Sequence, residues 1–244
     1  MNVGFSETQF VIACLHEMFT FFENNHFQYT FTMPTQRMEA ILGYDAQINL
    51  NNINLDEEII PIFLQFKVPE YMESKNAKER GDFYNGHALP YYRIHVWPHC
   101  VSNQHNILVD FARENLYVFY CTPEFRNFDE VLHNHTVLDN TVLISCRELP
   151  HNYGSDKHVI TYCPGFQYAC WHSKVKRIQR TKFNLREIES YELKMGDFLD
   201  IIRNIYEKNN GLTYIKKYND NAEAIDFLQH IFIETGIFFG ILKK

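Results

Sequence analysis

Apolar and polar positions along the chain switch repeatedly between a helical and a strand period. From Ser6 to about Glu23, Phe10, Cys14, Met18 and Phe21 or Phe22 recur at helical spacing, with Ser6 in the N-cap position and Glu7 in the first turn. That segment predicts an amphipathic helix. FQYTFT (27–32) predicts a strand stopped by Pro34, and 35–42 a helical turn that carries Glu39 into a turn at Gly43. Tyr44 to Leu50 predicts a strand bearing Asp45, and an Asn-rich loop returns the chain into the apolar run Ile59 to Lys67. Pro69 to Pro90 is polar and highly charged, the pattern of an exposed excursion. Tyr91 to Val96 predicts a strand, Ser102 caps a helix through about Asn115, and LYVFYCTP (116–123), apolar throughout, predicts a central strand. A short helix follows at Asn127 to His133, then a strand at Thr141 to Cys146 and a hairpin, 158–163 with 166–171, around Pro164 and Gly165. Helices are expected over about 196–208 and 219–234, the second running into an apolar tail to 242. No repeat, low-complexity tract or linker interrupts the pattern. The expectation is one compact α/β domain over 1–244: a central mixed sheet flanked by helices, with further strands and a C-terminal helical layer after residue 125.

The run IIPIFLQFK ends in polar residues at i and i+2 spacing, Gln65 and Lys67. Residues two apart share a face of a strand, so Phe63, Gln65 and Lys67 project one way and Ile62, Leu64 and Phe66 the other. An amide oxygen and an ammonium thus stand side by side at a strand end. Similar pairs at Glu73 and Lys75 and at Glu192 and Lys194 lie in polar or helical contexts. Asp45 lies 20 residues before Gln65. Brought together, an acid, an amide oxygen and a lysine can hold a divalent metal and orient a water.

The order helix, strand, strand, strand ending in Q-x-K, helix, strand resembles the core of the PD-(D/E)XK nuclease superfamily, the restriction-endonuclease-like fold, in its Mrr-like variants with Gln at the second acid position. The resemblance covers roughly residues 1–125, and the chain as a whole also looks like a bacterial protein family. It implies Asp45 as the motif aspartate, Gln65 at the acid-or-Gln position, Lys67 as the motif lysine and Glu7 as the glutamate of the first helix. It further implies that Asp45, the Gln65 amide oxygen and the Phe66 backbone carbonyl hold Mg²⁺ or Mn²⁺ while Lys67 orients the attacking water. The expected activity is hydrolysis of DNA, with a role in restriction or defence against phage alongside protein partners. Two departures stand out: no Pro precedes Asp45, and Gln65 leaves the site one negative charge short, which Glu7 or Glu39 would restore.

The net charge of −7 excludes an overall basic field, so nucleic-acid contact must come from local patches. Candidates are Lys75, Lys78 and Arg80 in the excursion, and Lys174, Lys176, Arg177 and Arg180 in a run extending to Lys182 and Arg186. That run reads either as a solvated face or as phosphate contacts. Hydrophobic content of 45% excludes global disorder. The 6 cysteines form no CxxC pair and read as reduced thiols of a cytoplasmic protein, and the charged residues within the apolar tail argue against a membrane span. His133-Asn134-His135 is a contiguous HNH, unlike the dispersed nuclease motif of that name, and His99, Cys100 and His105 lack a fourth zinc ligand at a usual spacing. No phosphate-binding or dinucleotide-binding glycine pattern is present. Beside the nuclease reading stands a non-catalytic one, an interaction module that binds a protein or nucleic-acid partner.

Overall fold

The computed structural model describes residues 3–30, 56–73, 90–98, 100, 104–172, 176–210 and 238–243. Helix α1 (Glu7–Asn24) starts with a capping box: the Ser6 hydroxyl accepts from the Gln9 amide at 3.2 Å, and the Gln9 side chain accepts from the Ser6 amide at 2.9 Å. Its apolar stripe, Phe10, Cys14, Met18 and Phe22, is buried. The remaining elements in chain order are β1 (Gln28–Thr30), β2 (Glu58–Phe66), β3 (Glu70–Met72), β4 (Tyr91–Val96), α2 (Gln104–Arg113), β5 (Tyr117–Pro123), α3 (Phe128–His133) and β6 (Thr141–Ser145). They continue with β7 (His158–Tyr162), β8 (Tyr168–Trp171), β9 (Lys176–Thr181), α4 (Leu185–Glu189), β10 (Leu193–Lys194), α5 (Met195–Asn210) and β11 (Phe238–Lys243).

The strands form a mixed sheet in the order β1-β11-β2-β5-β6-β9-β8-β7-β4-β3, with β10 against the start of β2. Among the described strands only β2 and β5 run parallel, which requires a long crossover, here through β3, β4 and α2. Side-chain alternation on β2 sorts the helices. Phe63 packs on Phe111 of α2 (4.9 Å between ring centroids) and Phe198 of α5 (6.1 Å), whereas Phe66 meets Phe10 of α1 edge-on at 5.9 Å. Helices thus cover both faces of β2, and β2 and β5 are buried along nearly their whole length. This is the coarse α/β arrangement expected from the pattern.

Several elements depart from the expected layout. The basic run is strand β9, whose first part pairs with β8 and whose last residues pair with β6, so it ties the two halves of the sheet together. The sheet folds back there: the Tyr162 hydroxyl of β7 donates to the Pro123 carbonyl at 2.6 Å and accepts from Thr122 at 2.8 Å, both at the end of β5. The charged excursion begins as β3, paired antiparallel with β4. The C-terminal strand β11 lies between β1 and β2, so the final residues complete the sheet of the N-terminal half. Asp45, Glu39 and the helix expected over 219–234 lie outside the described residues. Among the described residues no helix is long and apolar enough to cross a membrane.

Candidate functional site

Parallel neighbours end at the same edge, and the connections that leave them diverge and open a crevice. At the C-terminal ends of β2 and β5, Gln65 is in register with Tyr120, and the Lys67 amide donates to the Cys121 carbonyl at 3.0 Å, extending the ladder one residue beyond β2. Lys67 then lines a small pocket, about 10 Å³ and so the size of a water, with His95, Val96, Trp97, Gln104, His105 and Tyr120.

Gln65 is 7% exposed. Its amide nitrogen donates to the Phe66 carbonyl at 3.3 Å, while its Oε1 is buried without a partner. A buried polar atom left unpaired costs about 1–3 kcal/mol, so this oxygen is a place where a ligand or water gains a hydrogen bond at no competing loss. Lys67 is half-buried, and none of the ion pairs among the described residues includes it. Burial pulls its ammonium below the ordinary lysine range, and the Glu7 carboxylate at the start of α1 acts in the opposite sense. The fold therefore brings Glu7, Gln65 and Lys67 to one strand end.

The opposite wall is histidine-rich. His95 Nε2 donates to Glu70 at 3.2 Å, and its buried Nδ1 has no partner. Burial pushes the Glu70 carboxyl up, but Arg93 and His95 hold it below the usual carboxylate value, so it stays an anion for both. His105 differs: its Nε2 lies 2.9 Å from the Pro150 carbonyl, which only accepts, so Nε2 carries the proton and Nδ1 accepts from the Tyr120 hydroxyl at 2.9 Å. Burial brings the His105 pKa down to about 4, leaving the ring neutral and fully hydrogen-bonded. It is a strut of the wall, and both of its nitrogens are occupied, which removes it from any zinc set with His99 and Cys100. His133 caps its own helix through Nδ1, which lies 2.7 Å from the Asp129 carbonyl.

A divalent cation needs several hard oxygen ligands, with carboxylates among them. No group of three or more His, Cys, Asp or Glu that could hold a metal occurs among the described residues. Near Gln65 Oε1 they offer the Phe66 carbonyl, which already accepts from the Gln65 amide. This described donor set does not fit Mg²⁺ or Mn²⁺ by itself; the anionic ligands expected at Asp45 and Glu39 lie outside the described residues.

The basic run is largely engaged within the fold. Arg180 is buried against Glu124 at 2.6 Å and donates to the Cys163 carbonyl at 2.8 Å, and Lys182 binds the other oxygen of Glu124 at 2.6 Å. Lys176 bonds the Glu148 carbonyl, and the Arg177 guanidinium stacks over Tyr168 at 4.6 Å from the ring centroid. Lys75, Lys78, Arg80 and Lys174 lie outside the described residues. The sequence reading passed over His95, Trp97, Gln104 and Tyr120. A signal for part of this wall was present in YYRIHVW, where Arg93 and His95 alternate with apolar residues and a tryptophan follows the strand. Comparison with protein-family models, curated proteins and solved structures finds no match.

Proposed function

We propose that the Gln65–Lys67 strand end is the phosphodiester site of a DNA nuclease with a restriction-endonuclease-like core. The observation that carries the reading is that the end of one parallel strand pair holds both a half-buried ammonium, on Lys67, and an amide oxygen, on Gln65, that is buried without a partner. In such a partly desolvated place a single cation attracts a phosphate oxygen more strongly than it does in water. Lys67 binds a non-bridging phosphate oxygen and stabilises the charge that accumulates there during displacement. Gln65 Oε1 accepts a hydrogen bond from the attacking water and fixes its direction, and Glu7 supplies negative charge on the side away from the phosphate. Mg²⁺ or Mn²⁺ dependence belongs to the same proposal, with Asp45 as the anionic ligand; bound there, the metal would supply Lewis acidity. A role in restriction or phage defence, with protein partners, completes the proposal.

A second reading, a binding module without catalysis, draws support from the neutral Gln65 at an acid position and from the internal pairing of Arg180 and Lys182 with Glu124. Cleavage of plasmid DNA and of single-stranded DNA in Mg²⁺ or Mn²⁺ separates the two. Lys67→Ala should lower cleavage at least about 100-fold, the scale of losing one preorganised charge-stabilising group, while stability changes by no more than about 1 kcal/mol. Undiminished cleavage by folded Lys67→Ala removes Lys67 from the mechanism. A parent protein that binds DNA and does not cut it supports the binding module.

A further inference from the structure

The cleft at Lys67 has an aromatic rim. Trp97 follows β4, lines the same cleft as Lys67 and is 47% exposed, a large fraction for the most hydrophobic aromatic side chain. Its backbone is held firmly: the Trp97 carbonyl accepts from the Asn152 side chain at 3.2 Å, and Asn152 is itself buried and bonded to Asn106, Asp156 and His158. The Lys157 ammonium sits 4.1 Å from the indole centroid. The residue after Asn152, Tyr153, is 63% exposed and stacks on His151 at 5.1 Å. One buried asparagine thus holds the backbone of Trp97 at the pocket, with the exposed Tyr153 and the Trp97-stacked Lys157 close to it along the chain. Negative charge is also present: burial lowers the proton affinity of His158, and the nearby Asp156 carboxylate acts in the opposite sense.

An exposed indole on an anchored backbone, backed by a cation and lining the same pocket as a half-buried ammonium, matches what single-stranded nucleic acids present: a flat base beside an anionic phosphate. Base stacking tolerates any sequence, because every base has a π-face. A duplex keeps its bases stacked on each other and offers none to Trp97. We propose that Trp97 is a stacking platform for an unpaired nucleobase whose neighbouring phosphate is held at Lys67, so that the substrate at this cleft is single-stranded nucleic acid. The inference rests on the reading of the Lys67 cleft as a phosphate site. Lys157 contributes the second phosphate contact from behind the indole, and Tyr153 extends the track by one base.

The chain has 2 tryptophans, and Trp171 is 1% exposed, so quenching of tryptophan emission by added ligand reports on Trp97. The probes are dT12, rU12 and a 12-base-pair DNA duplex, titrated into the full chain at low salt without divalent metal, so that cleavage plays no part. Either single strand should quench and bind at least about tenfold more tightly than the duplex, and Trp97→Ala should lose about tenfold in affinity for it, the scale of one base–aromatic stack. Trp97→Phe, which keeps a ring, should retain most of the binding. Equal affinity for duplex and single strands, or unchanged binding by folded Trp97→Ala, overturns the platform. Lys67→Ala separates this inference from the cleavage reading. Quenching by single strands that persists in Lys67→Ala with weaker affinity supports the platform even if the parent never cuts DNA, whereas absence of quenching in the parent overturns it even if the parent does.

Discussion

Two polar regions share the interior of this protein with similar burial and opposite hydrogen-bond accounting. Asn152 is 2% exposed and Gln65 is 7% exposed. Around Asn152 the groups are paired: its amide donates to Asn106 at 2.7 Å, its side-chain nitrogen donates to the Trp97 and Asp156 carbonyls, and its oxygen accepts from His158 at 3.0 Å. Nearby His105 has both ring nitrogens engaged. By contrast, Gln65 Oε1 at the end of β2 and His95 Nδ1 on β4 are buried without partners. Proteins pair nearly all buried polar atoms, so the Asn152 network reads as architecture, whereas Gln65 and His95 each keep a buried atom available for a partner, as does the Tyr117 hydroxyl at the other end of β5.

The largest blow to that comparison would come from Asn152→Ala. It removes the side-chain bonds to Trp97, Asp156 and His158 together, and a loss of about 3 kcal/mol is expected if those groups stay unpaired. Urea unfolding measures it, and a loss below about 1 kcal/mol would mean that water replaces the network and that its saturation is incidental. The same variant should weaken binding of single strands at Trp97, whose carbonyl it releases.

The His105 strut sharpens the comparison through pH. Its folded pKa of about 4 lies below the ordinary 6.5, so the unfolded chain takes up the proton first as the pH falls. Stability from this group is therefore full above about pH 6.5 and declines between about 6.5 and 4, by up to about 3 kcal/mol. His105→Gln should be less stable at pH 7.5 and show a shallower acid decline than the parent across that window in thermal melts. Parallel curves for the two proteins would mean that His105 is accessible to solvent protons in the fold.

Gln65→Leu has the smallest expected effect on stability and the opposite sign. Replacing an amide whose oxygen is orphaned by an apolar group of similar shape should be neutral or stabilising by up to about 1 kcal/mol, while cleavage falls. A gain in stability with a loss of function is what a held-open site predicts. Destabilisation beyond about 1 kcal/mol would show that Gln65 is as well satisfied as Asn152.

Much of the scaffold was legible in the chain because its causes are local. The Ser6 N-cap, the stripe from Phe10 to Phe22, the unbroken apolar run of β5 and the turn at Gly165, whose φ of 78° suits a residue without a Cβ, follow from residues within a few positions of one another. The shared face of Gln65 and Lys67 is likewise a property of any extended strand. Register and partnership are not local. Nothing near Lys176–Thr181 announces a strand that joins β8 to β6, because its charges satisfy themselves against residues far away: Arg180 meets Glu124 across 56 positions. The insertion of β11 between β1 and β2, and the wall of His95, Trp97 and Tyr120 facing Lys67, depend in the same way on pairings between distant segments. Periodicity along the chain determines which face a side chain takes. What that face meets, and whether a buried oxygen such as Gln65 Oε1 finds a donor, is decided only when the long-range pairings close around it.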